Sequence, residues 1–179
     1  MELILISGLS GSGKSVALNL LEDSGYYCVD NLPVAMLTVL AGMLQEEQVS
    51  KVAVAIDARS GGGIELLPGK LKRLSEDEVK VTFLFLHANE ETLLKRYSES
   101  RRRHPLADEQ RSLAESIRLE SELLAPIAGL GHRIDTSGLK ASALREWVRQ
   151  FIESQPGQGL TLMFRSEERR VGKECRSRW

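Results

Sequence analysis

Residues 8–15, "GLSGSGKS", directly follow the apolar run "ELILIS" at residues 2–7, and their reading decides the fold. The stretch fits the pattern G-x-x-x-x-G-K-S/T. Its glycines let backbone N–H groups turn inward and form a nest for phosphates. Lys14 is spaced to reach the β- and γ-phosphates, and the Ser15 hydroxyl to hold Mg²⁺. The pattern gains its meaning from context: a buried strand before it and an amphipathic helix from about Lys14 after it. The expected phosphate-binding residues are therefore Gly8, Leu9, Ser10, Gly11, Ser12, Gly13, Lys14 and Ser15.

Working outward, short apolar runs alternate with helical segments. Strands are expected at residues 2–7, 26–29, 51–57, 80–86 and 132–137. Helices are expected from Lys14, from about Pro33 with Asn31 as a candidate cap, over residues 90–103 behind an Asn89 cap, over 112–127, and over 141–153. Pro105 is the expected stop of the third of these, because a proline inside a helix removes a hydrogen bond and clashes. No element is assigned between Asp57 and Lys80; "RSGGG" at residues 59–63 reads as a flexible point. Alternating strands and helices imply right-handed crossovers and a parallel sheet, and the unbroken apolar strands imply cover on both faces. The expected fold class is α/β, a P-loop NTPase with a kinase-like three-layer α/β/α architecture and a mainly parallel sheet of about five strands.

The chain has 179 residues and a formal net charge of −1. Its last fifteen, "RSEERRVGKECRSRW", have no apolar periodicity and resemble the translation of a sequencing-adapter oligonucleotide, so residues 165–179 are read as an artefactual tail. Without the tail's six Lys/Arg and three Asp/Glu, the totals of 24 and 25 become 18 and 22, a net charge of −4. A mildly acidic domain offers no global field for nucleic acid, so any RNA contact needs a local patch. Cys28 is the one cysteine left, which excludes a disulfide framework and fits a reducing, cytoplasmic setting. No apolar run approaches the length of a membrane span. Residues 1–156 are read as a nucleotide-binding domain, with "LTLMF" in residues 157–164 opening a further domain.

Three more groups carry candidate chemistry. Asp57 ends "KVAVAID", where a carboxylate can hold Mg²⁺ in the Walker B manner, and Arg59 follows it. "KRYSESRRRH" crowds Lys95, Arg96, Arg101, Arg102, Arg103 and His104 at one helix end. Such arginines can screen charge developing on a γ-phosphoryl group, favour a helix C-terminus, or meet RNA phosphate. Asp30 and Asn31 lie past the second strand, at the edge where ligands of such sheets gather. Asp30 is a candidate base for an accepting hydroxyl, or simply a neighbour of a capping Asn31. An Asn-Lys-x-Asp guanine box does not occur, and the three histidines show no ligand spacing.

Taken together, "SGLSGSGKSVALNLLEDSGYYCVDNLP", "AIDARS", "RYSESRRRHPL" and "RIDTS" resemble the RapZ/YvcJ family of nucleotide-binding RNase adapter proteins, over residues 1–164. The resemblance implies ATP and GTP binding with slow hydrolysis, a Walker A site at Gly8 to Ser15, and a second nucleotide segment at Asp57, Ala58, Arg59 and Ser60. Ser60 stands where Asn is common. The resemblance also implies small RNA and RNase machinery as partners, an oligomer, and a C-terminal domain that carries most RNA recognition. The resulting catalytic candidates are Lys14, Asp57, Arg101 and Arg102, with Ser15 and Asp57 as metal ligands. A small-molecule kinase and a non-catalytic nucleotide-sensing module are the alternatives.

Overall fold

Five parallel strands, in the order β2-β3-β1-β4-β5, make one sheet in the computed structural model, which describes residues 1–58 and 63–154. In chain order the elements are β1 (Glu2–Gly8), α1 (Lys14–Asp23), β2 (Tyr27–Val29), α2 (Leu37–Glu46), β3 (Lys51–Ala55) and α3 (Leu67–Glu76). Then follow β4 (Lys80–His87), α4 (Glu90–Ser100), α5 (Leu113–Leu124), β5 (His132–Asp135) and α6 (Ala141–Glu153). None of the described helices is long and apolar enough to cross a membrane.

The apolar strands are unbroken because both faces of the sheet are covered. Successive residues point to opposite faces. Leu3 and Leu5 join Val52, Val54, Phe83 and Phe85 in one cluster, which α2, α3, α4 and α5 cover with Leu37, Leu67, Leu93 and Ile117. Ile4 and Ile6 join Ala53, Ala55, Leu84 and Leu86 in the other, which α1 and α6 close with Leu18, Leu21, Leu144 and Val148. Each fully buried Leu or Ile contributes about 1.5–3 kcal/mol, so β1, at 0–1% exposure from Leu3 to Ile6, is the axis of the core. The fold is the expected three-layer, kinase-like one.

β1 sits between β3 and β4, so the chain changes direction across it and the loops after these strands diverge. A crevice opens at such a reversal, at the carboxyl edge of the sheet. β1 runs in register with β4 as far as Gly8 opposite Leu86, and Leu9 N–H then donates to Leu86 O at 3.1 Å. A Cβ on Gly8 would lie 1.9 Å from that same carbonyl oxygen, so glycine is required where the strand turns into the loop.

Several local expectations are corrected. α4 ends at Ser100, short of the expected 103, because Arg101 adopts a left-handed conformation (φ 50°) as the C-cap. Pro105 is not what stops it: beyond the cap, His104 turns into the core at 3% exposure. Asn31 does not cap α2. It too is left-handed (φ 55°), and the chain enters through a 3₁₀ turn at Val34–Met36 whose N-cap is Pro33. β3 closes at Ala55, two residues before Asp57. α3 lies where no helix was expected; Pro68 occupies its first turn, where no N–H partner is lost. Leu67, Leu71 and Leu74, at helical spacing, are the signal that marks it.

Candidate functional site

The loop after β1 and the start of α1 form the floor of the crevice. α1 begins at Lys14, its N-cap Gly13 is left-handed, and no side chain caps it. The first-turn N–H groups, with no acceptor inside the helix, therefore face the crevice as an anion site. Gly13 cannot be replaced cheaply: a Cβ there, at φ +106°, would lie 2.5 Å from Leu144 Cδ2 on α6. Lys14 Nζ folds back to donate to Gly8 O at 2.6 Å and Leu9 O at 3.2 Å. Ser12 Oγ is buried and finds no hydrogen-bond partner among the described residues. An ammonium resting on loop carbonyls beside uncapped helix N–H groups fits a polyphosphate.

The larger cavity here, about 480 Å³, is lined by Ser10, Gly11, Gly13, Lys14 and Ser15 of the loop, and by Asp30, Asp57, Arg96, Arg102 and Arg103 among others. Expected site residues from four separate segments thus share one space. Asp57 is 2% exposed. With the Ser15 hydroxyl in the same cavity, it offers the oxygen donors that Mg²⁺ uses alongside phosphate oxygens. Ala58 is buried beside it, while Arg59 and Ser60 lie outside the described residues. Gly8, Leu9 and Ser12 shape the loop rather than line the larger cavity.

The basic cluster resolves into different jobs. Arg102 and Arg103 line the cavity; Arg101 does not, serving as the cap of α4. Arg96 is a strut: its guanidinium donates to Gly11 O at 2.9 Å, Thr136 Oγ1 at 3.1 Å, Thr136 O at 2.7 Å and Leu139 O at 3.2 Å. Thr136 Oγ1 in turn donates to Ser12 O at 2.8 Å, so the loop after β5 is tied to the phosphate loop. This strut separates the first cavity from a second, about 230 Å³, lined by Val16, Leu139, Lys140 and Leu144 among others. Lys95 is exposed outside both cavities.

One functional candidate, Glu120, was missed from sequence, and with it the partner that places His104. Glu120 on α5 reaches Ser10, and His104 reaches Glu120, both wholly buried. Glu120, one of two glutamates in "LESELL", carries no local sign of burial; its place on the inner face of α5, three residues after buried Ile117, is the only trace. Elsewhere, burial pushes the Cys28 thiol up to about 11, with the Glu22 charge adding to it, so this thiol is protonated at neutral pH.

Comparison with known proteins accords with this geometry. The family described as the RapZ-like N-terminal domain matches residues 1–156. A nucleotide-binding protein of Dechloromonas aromatica is 78% identical over 166 residues, which cover 93% of this chain and 59% of that protein. One of Methylobacillus flagellatus is 51% identical over 166 residues, with the same coverage of 93% and 59%. The chain thus spans less than two thirds of the length of these curated relatives. A shikimate kinase from Acinetobacter baumannii, solved in complex with shikimate, has a TM-score of 0.53 at 21% identity, over 85% of this chain and 93% of its own. At that identity the likeness is one of fold.

Proposed function

The chain belongs to the RapZ-like N-terminal domain family, and from that premise we propose that it binds ATP or GTP with Mg²⁺ and hydrolyses the nucleotide slowly. One observation carries the reading: Lys14, Ser15, Asp57, Arg102 and Arg103 line a single cavity at the N-terminus of α1. Lys14 leaves the carbonyls of Gly8 and Leu9 for the β- and γ-phosphates. Ser15 and Asp57 hold the metal, which offsets phosphate charge when bound. Arg102 and Arg103, on an exposed segment, screen charge on the outer phosphate. The 230 Å³ cavity, with Val16, Leu139 and Leu144 as apolar walls, suits the base.

In the intact protein this cycle serves a cytoplasmic RNase-adapter role, with small RNA and RNase machinery as partners. Small RNA binds this chain only weakly, because residues 1–164 carry a net −4 and Arg102 and Arg103, in its one basic cluster, are engaged with nucleotide phosphate. Phosphate release from Mg·ATP and Mg·GTP by residues 1–164, together with small-RNA binding by the same protein, tests the reading. Slow release and weak RNA binding are expected; no nucleotide binding at all overturns it.

A second reading, a small-molecule kinase, is favoured by Asp30 in the same cavity, where it can take a proton from an accepting hydroxyl. A hydroxyl compound that gains phosphate as nucleotide is consumed would establish it over hydrolysis. Binding without any turnover would establish the third, a nucleotide-sensing module.

A further inference from the structure

Beneath the phosphate loop lies a buried pair that the chemistry of Lys14, Ser15 and Asp57 does not use. Glu120 Oε2 accepts from Ser10 N–H at 2.8 Å, and Oε1 accepts from Ser10 Oγ at 2.6 Å. Oε2 also lies 3.2 Å from His104 Nε2. His104 Nδ1 accepts from Leu106 N–H at 3.1 Å, so Nδ1 carries no proton. The ring proton therefore sits on Nε2 and is donated to Glu120. Both side chains have 0% exposure, and the imidazole lies against Tyr97 with ring centroids 5.2 Å apart.

We propose that Glu120 is a positioning residue that joins the phosphate loop, through Ser10, to the arginine segment at residues 101–105, through His104. The inference rests on the nucleotide-site reading above and adds a coupling to it. Ser10 stands between Gly8 and Gly11, in a stretch whose glycines restrain it little. Glu120 takes both of its donors and fixes that half of the loop, while Arg96 holds Gly11 O on the other side. Across the pair, His104 points into the core and its neighbours Arg102 and Arg103 point into the cavity. One carboxylate thus sets the position of the phosphate nest and of the cations that face it. A buried carboxylate bound at both oxygens, as here, has one low-energy arrangement, and so do the segments it holds.

Glu120→Gln keeps this geometry: its carbonyl can accept from Ser10 N–H and His104 Nε2–H, and its amide can donate to Ser10 Oγ. Glu120→Ala removes all three bonds. The test compares backbone hydrogen exchange without nucleotide, then kcat, KM and melting temperature with Mg·ATP. Glu120→Ala should speed exchange at residues 8–13 and 101–106 together. Well below its melting transition it should lose about tenfold or more in kcat/KM. Glu120→Gln should restore both readouts. Arg102→Ala should cost less turnover in the Glu120→Ala background than in wild type, since the arginine is already misplaced there.

Exchange that rises at one segment alone overturns the coupling. So does wild-type kcat/KM in a merely less stable Glu120→Ala, or a Glu120→Gln as defective as Glu120→Ala. If Glu120→Ala does not fold, His104→Phe keeps the ring against Tyr97 but cuts both the link to Glu120 and the bond from Leu106 N–H, so exchange at Leu106 itself is set aside. It should then loosen residues 101–105 and lower kcat, and unchanged exchange there overturns the proposal. A wild-type chain that binds no nucleotide sinks the nucleotide reading, while the exchange results still decide the coupling.

Discussion

Replacing Lys14 with alanine separates what the ammonium does for nucleotide from what it does for the empty loop. Nζ donates to Gly8 O at 2.6 Å and to Leu9 O at 3.2 Å, both partly buried bonds. Losing two such bonds costs about 0.5–1.5 kcal/mol each, or about 1–3 kcal/mol together. Against a typical stability of about 5–15 kcal/mol the fold survives, and for a domain of this size the melting temperature drops by about 2–12 °C. The nucleotide effect is separate. A charge-assisted contact to phosphate is worth about 1.5–3 kcal/mol, so affinity for Mg·ATP and Mg·GTP should fall about 10–150-fold. Because the ammonium must leave the loop carbonyls to reach phosphate, the lower half of that range is expected. Calorimetric titration at a temperature where the variant is fully folded measures it. Wild-type affinity for both nucleotides in Lys14→Ala would refute the assignment of this loop.

The arginines should separate by position. Arg102→Ala lowers turnover with affinity nearly unchanged, because screening of developing charge matters most in the transition state. Arg101→Gly relieves a left-handed residue at φ 50° and raises stability by about 1 kcal/mol with turnover per folded molecule intact, and lost turnover would count against its role as a cap. Gly8→Ala forces a Cβ to within 1.9 Å of Leu86 O and costs about 2–6 kcal/mol by denaturant titration; a loss under about 1 kcal/mol would contradict the close approach. Burial alone would raise the Glu120 pKa, but His104, Ser10 and the Lys14 charge together hold it below the ordinary 4.5. The unfolded chain then binds more protons in acid, so Glu120 contributes stability above pH 4.5 that is lost as pH falls through its lower native value. Denaturation curves in that acid window should flatten in Glu120→Gln.

The layered fold is legible in local pattern because its causes are local. Unbroken apolar strands such as "LILI" and "FLFL" signal burial on two faces, and the glycine spacing of residues 8–15 signals a nest wherever a strand precedes and a helix follows. The family resemblance, carried by "YCVDNLP" and "RRRHPL", is borne out by the match over residues 1–156. α3 was not assigned from sequence: Pro68 and Gly69 give the same local signal in a helix's first turn as in a loop, and only the packing of Leu67 and Leu74 onto the sheet decides between them.

Tertiary structure decided what the charged residues do. In sequence, Arg96, Arg101, Arg102 and Arg103 form one basic run, and any of them could face phosphate. Folding sorts them by the direction each leaves the backbone: a strut bonded to Gly11, Thr136 and Leu139, a left-handed cap, and two that line the cavity. Glu120 lies 110 positions from Ser10 along the chain, and only the seating of α5 against the loop brings them to 2.6 Å. Periodicity reports which face of an element is buried. Which polar group meets another inside depends on the mutual placement of elements, and a one-dimensional pattern does not encode that placement.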